Sequence, residues 1–301
     1  MLLMAFVNSM VLAASFTMRT ASCPIGDEQV RIYDVVSDNQ LGGFDSDLAT
    51  YSSGEQARNF LISTCVSNYI SLFGEDMSRI IPDDLAQSML TQTEALRKQF
   101  KDPDNPEVWE RYWLAAENYT LMSESDYFIA KLYLSAIWSA RDTIVGYHAG
   151  LNGPLVIDQL LEQASIELAK PLSEDQRKVL LFNLARVAHR GGYSQIRDDY
   201  IDAFSALPNL TVSDMDSAQA FKNITKKVEP LFQIKLQSIF TPSVLAELNS
   251  QERAHAHYLL GDIARRQGSP ELALTHYRAV LNEEKAEEKI STLANYFINK
   301  K

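Results

Sequence analysis

Between Gln251 and Glu284 the chain reads QERAHAHYLLGDIARRQGSPELALTHYRAVLNEE, two amphipathic segments on either side of Gly268-Ser269-Pro270. A proline is well placed in the first turn of a helix, where its missing N–H would have no partner in any case, so Ser269-Pro270 opens a second helix just past the end of the first. Each segment carries an apolar stripe at i, i+3, i+4 spacing that cannot stay in water. Joined by so short a turn, the two must fold back and bury their stripes against each other.

Upstream the same pattern recurs. Pro82-Asp83-Asp84 opens a helix toward Phe100, with carboxylates in the first turn where the helix dipole favours them and Leu85, Met89, Leu90, Thr93 and Leu96 turned inward. KDPDNP, residues 101–106, is the clearest linker. Val108 to Leu121 and Tyr127 to Val145 then form an aromatic pair around Trp109, Tyr112, Trp113, Tyr133 and Trp138. These rings recur at helical spacing beside Ala and Leu, so core packing is expected of them rather than a ligand cage. Further helices are expected over 155–168, over 173–190 with Ser173 and Gln176 in capping-box register, and over 194–207. Pro230 interrupts the stretch 213–240 and predicts a kink or break near Val228. A short helix from Thr241-Pro242 to Leu248 follows, and Ala286 to Asn299 is a last amphipathic helix with Ile290, Leu293, Ala294 and Phe297 on one face.

The N-terminal third is less regular. Phe60, Leu61, Thr64, Cys65, Asn68, Tyr69 and Leu72 fall on one helical stripe, so residues 54–100 are expected to form a helical hairpin. Gly42-Gly43 and Ser52-Ser53-Gly54 break any long period, which makes 16–53 an irregular arm. Asp45, Asp47 and Glu55 lack the turn glycine and bidentate Glu of a calcium loop and read as solvated carboxylates. Residues 1–15, MLLMAFVNSMVLAAS, are about as long as the apolar core of a secretory signal and short of the roughly 20 residues a membrane span needs. Export is the natural reading, with cleavage after Ala13 or Ser15; a buried N-terminal helix is the alternative. Two cysteines, Cys23 and Cys65, are then a candidate disulfide, while Thr20-Ala21-Ser22-Cys23 leaves open a lipid anchor at Cys23.

A formal charge of −11 in 301 residues makes nucleic acid a poor partner, since the only basic cluster is Lys222, Lys226 and Lys227. No phosphate-binding loop, dinucleotide fingerprint, zinc-protease motif or nucleophile elbow occurs. His255 and His257 are two apart and point to different faces of a helix, so no metal site is expected of them. No cofactor and no catalytic residue is indicated.

Leu260-Gly261, Gly268, Ala273, Tyr277 and Val280-Leu281 give the 251–284 unit its character: it resembles a tetratricopeptide repeat. The resemblance implies an all-α, TPR-like helical-repeat solenoid of degenerate helix hairpins, here over 106–301 with a C-terminal capping helix. It also implies a groove lined by the first helix of each pair, which in this unit means His255, Tyr258, Asp262, Arg265 and Arg266. Such grooves hold an extended peptide or a partner helix. An Asp at 262, where relatives that grip a peptide C-terminal carboxylate have Asn, disfavours that ligand. The expectation is a noncatalytic interaction scaffold or assembly factor of a bacterial periplasm or cell envelope. Its alternatives are an intracellular adaptor of the same fold, or an enzyme, glycan or small-molecule binder built on the aromatic hairpin 109–138.

Overall fold

The computed structural model describes residues 14–144, 146–147 and 151–300. Of the expected signal segment, residues 1–13 lie outside the described residues, as does His148. Strand β1 (Ser15–Ser22) pairs antiparallel with β2 (Gln29–Ser37), Ser22 opposite Gln29 and Arg19 opposite Ile32. β3 (Gly43–Phe44) and β4 (Thr50–Tyr51) make a tight antiparallel pair, followed by a second short hairpin of β5 (Ile62–Thr64) and β6 (Ser71–Phe73). From there the chain is helical: α1 (Asp83–Arg97), α2 (Val108–Leu121) and α3 (Asp126–Asp142) come first. β7 (Leu151–Asn152) adds parallel to β3, and α4 (Pro154–Leu168), α5 (Glu174–Gly191) and α6 (Ser194–Ser205) follow. The remainder is α7 (Val212–Asn223), α8 (Glu229–Ile239), α9 (Pro242–Glu247), α10 (Ser250–Arg266), α11 (Pro270–Leu281) and α12 (Glu288–Asn299).

The chain is predominantly helical, and consecutive helices pack as pairs, α2 on α3, α5 on α6 and α10 on α11. Local chemistry sets the ends. Ser173 and Gln176 form their reciprocal capping box, as do Asn249 and Glu252, while Gly192 closes α5 in the left-handed conformation at φ 74°. Between α7 and α8 the backbone widens into a π-helical turn, Ile224–Val228, immediately before Pro230. That is where a proline lacking its N–H and crowding the preceding turn has to be accommodated. The stripe Ile290, Leu293, Ala294 and Phe297 of α12 is buried against α11.

Two N-terminal expectations are corrected. The arm 16–53 is not irregular, because β1 and β2 build a hairpin that seats Val30 and Ile32 in the core, a period-two pattern in QVRIYDVVS. Residues 54–100 are not a helical hairpin either: only α1 is a helix of more than one short turn, and the Phe60–Leu72 stripe folds as β5–β6. Asn68 makes the turn, accepting from the Ile70 N–H at 3.1 Å and donating to the Ile25 carbonyl at 2.7 Å, and Tyr69 takes φ 61°. α2 completes these short strands, Tyr119 Oη accepting from the Phe73 N–H at 2.9 Å and Asn118 Nδ2 donating to the Ser71 carbonyl at 3.3 Å. A short apolar run carries too few residues to separate a period of 3.6 from one of 2, and a tertiary partner decided between them.

Cys23 and Cys65 form a disulfide with Cα atoms 6.0 Å apart, joining the end of β1 to the β5–β6 turn. The lipid anchor at Cys23 is corrected with it, since a sulfur already bonded to Cys65 has no valence left for a thioether. Among the described residues no helix is long and apolar enough to cross a membrane.

Candidate functional site

Asp45, Ser46 and Asp47 link β3 to β4 and are buried, not solvated. The linker turns on itself through the Leu48 N–H to the Asp45 carbonyl at 3.1 Å and the Asp45 N–H to the Ala49 carbonyl at 2.8 Å, with Leu48 at φ 73°. The segment meets cations from three helices. Arg190 of α5 donates from Nε to Asp45 at 2.5 Å, and Arg141 of α3 approaches Asp47 at 2.7 Å and Asp45 at 3.3 Å. Arg141 Nε also reaches Glu229 of α8 at 2.7 Å, and His189 Nε2 lies 3.0 Å from the same carboxylate. On α10, Asp262 takes Arg265 at 2.5 Å and Arg266 at 2.6 Å, and both arginines donate to Ser46 Oγ, at 2.9 and 2.7 Å. The Tyr258 hydroxyl donates to the Ser46 carbonyl.

Four carboxylates (Asp45, Asp47, Glu229, Asp262) therefore face four guanidiniums (Arg141, Arg190, Arg265, Arg266) in the interior. A buried charge is tolerable only when so paired and hydrogen-bonded. Burial would raise the Glu229 carboxyl, but Arg141 and His189 outweigh it and hold it well below the usual carboxylate range. Asp262 is held low in the same way by Arg266 and Arg265 against burial. At Asp47 burial wins over Arg141 and Arg266 and the carboxyl is raised. Burial pushes His189 down to about 4 despite Glu229. Neutral His189 thus donates from Nε2 to Glu229 and accepts at Nδ1 from the Tyr147 hydroxyl, 2.8 Å away.

This placement corrects the reading of the groove. Tyr258, Asp262 and Arg266 are buried and Arg265 nearly so, all turned onto the chain's own 45–48 segment. The first-helix face of the repeat-like unit is already filled from within. His255 alone of the five faces an opening, a cleft of about 310 Å³ lined by Leu48, Tyr127, Glu252, His255, Glu287 and Ile290. Its Nδ1 lies 2.6 Å from the Tyr127 hydroxyl, and burial pushes the ring down to about 4. No sequence signal marked Asp45 or Asp47 for burial, because their partners lie far along the chain.

The aromatic hairpin is packed on itself and on α8. Trp113 meets Phe232 edge-on with ring centroids 5.5 Å apart, and Tyr133 stacks on the same ring at 5.9 Å. Cys23, Glu28 and Cys65 converge as metal-type ligands, but both sulfurs are spent in the disulfide and Glu28 accepts from the Ser67 N–H and hydroxyl at 3.0 Å. The four guanidiniums keep their protons in a protein, so each stays a fixed positive partner for the carboxylates around it.

Fold and cluster together define a predominantly helical chain whose paired helices are locked around a charged segment of a small β-built N-terminal part. Compared with protein-family models, with characterised proteins and with solved structures, the chain matches none.

Proposed function

We propose that this chain is a noncatalytic protein-interaction scaffold of the TPR-like kind, exported to a bacterial cell envelope, that meets its partner at the cleft between α3, α10 and α12. The observation that carries the reading is the seating of residues 45–48 on α10. A face that takes up a turn of polypeptide through Tyr258 and two arginines supports the reading of a peptide-holding surface, and the cleft adjoins it. Glu252 and Glu287 give that cleft a negative rim, Tyr127 an aromatic wall, and Leu48 and Ile290 an apolar floor. Such a lining suits a lysine or arginine side chain of a partner protein, as does the net charge of −11. The Cys23–Cys65 disulfide supports export, because such bonds persist in oxidising compartments.

The test is in-cell crosslinking from a photoreactive residue at Gln251, followed by identification of the adduct in wild type and in Glu252→Lys/Glu287→Lys. A defined protein adduct that disappears in the charge-reversed variant is expected, with an exposed Glu271→Lys control retaining it. An adduct indifferent to the reversal, or none at all, overturns the reading.

A further inference from the structure

On the outer side of the repeat-like unit, away from the cluster, His257 of α10 and His276 of α11 bring their Nδ1 atoms to 3.1 Å, with ring centroids 5.4 Å apart and ring planes inclined by 38°. Both rings are half-buried, so each keeps a path to solvent. The fold places them there because α10 and α11 fold back at Gly268 and close on each other where Gly261 meets Tyr277. In the metal-free protein one Nδ1–H donates to the other Nδ1, so two lone pairs compete for one proton. Protonating both would set two imidazolium charges face to face. Burial also lowers both rings from the ordinary histidine range, with Glu283 opposing this at His257 and the neighbouring ring adding to it at His276.

We propose that His257 and His276 form a two-imidazole chelate for a borderline divalent transition metal, copper(II) above all, with water completing the coordination. Metal–imidazole bonds of about 2.0–2.1 Å at angles between square-planar and tetrahedral set the two nitrogens about 2.8–3.4 Å apart. The observed 3.1 Å lies inside that window, so the ion replaces the shared proton without moving either helix. Imidazole pairs favour copper over the other first-row ions, which fixes the order of affinity as copper above nickel and zinc. Glu283 is gripped by Arg253 at 2.6 and 2.9 Å; it adds negative potential beside His257 and is not required as a ligand. The bound ion clamps α10 to α11 at the one unit that carries the repeat signature.

The experiment uses the untagged full chain and copper(II) chloride in a non-coordinating buffer, read by calorimetric titration and by electron paramagnetic resonance. One tight site is expected, with nitrogen couplings from two imidazoles. His257→Gln and His276→Gln should each weaken it by about 100-fold, the lower end of the gain from linking two ligands, and the double variant should lose the site altogether. His255→Gln should leave it unchanged. Equal affinity in wild type and both single variants overturns the proposal. A one-imidazole spectrum in the wild-type protein does so too, and that reading stands even if a variant fails to fold.

Discussion

His189 holds its two polar neighbours only while neutral, receiving from Tyr147 and giving to Glu229. Its pKa in the fold is about 4 against an ordinary 6.5, so as pH falls the unfolded chain takes up the proton first. The stability it contributes is complete above pH 6.5 and is withdrawn as pH falls toward 4, by on the order of 3 kcal/mol for a shift of this size. Urea melts at pH 7 and pH 5 should show about 2 kcal/mol of that loss, and His189→Gln, which keeps a donor and an acceptor but does not titrate, should flatten it. An unchanged slope in the variant would place the pH dependence elsewhere. Neither this histidine's role nor the burial of Asp45 and Asp47 was legible in the sequence. A buried carboxylate is recognised only by its counter-ion, and for Asp45 those are Arg141 and Arg190, 96 and 145 residues away.

At the level of elements, the helices were legible because their signals are local: Ser173 with Gln176, Asn249 with Glu252, and Pro230 just after its π-turn each act within one or two turns. β5 and β6 were not, because their partners are Tyr119 and Asn118 of α2, and the strand β2 was hidden by the irregularity around it. Within the repeat-like unit Gly261 is where α10 and α11 approach most tightly on Tyr277. A Cβ there would stand 2.8 Å from the Tyr277 ring. Although glycine costs about 1 kcal/mol inside a helix, Gly261→Val should destabilise by a further 1–3 kcal/mol, roughly, through overpacking of α10 on α11. Thermal melts monitored by circular dichroism decide this, and a variant as stable as wild type would mean that the helices do not close there.

For the whole molecule the N-terminal part is the fastening. Arg58 grips Asp142 through two bonds of 2.6 and 2.7 Å, the disulfide ties the first hairpin to the second, and α12 is keyed back to α4 by Lys300 on Asp158 at 2.5 Å. Closing a loop of 42 residues by a disulfide is worth about 4 kcal/mol in the chain-entropy account. The double variant Cys23→Ala/Cys65→Ala should lose about that much in a urea melt, with proteolysis beginning in β1–β2. Cleavage appearing first in α10–α12 would refute the assignment. The seating of Ser46 on α10 also has a consequence in time. Its bonds to Tyr258 and Arg266 span 212 and 220 residues, so a chain made from its N-terminus leaves that segment waiting in water until α10 arrives. Helix pairs form early because their contacts are near in sequence, and the closing of the charged segment comes last and slowest. Completion of the fold is thereby a check that the C-terminal unit has been made.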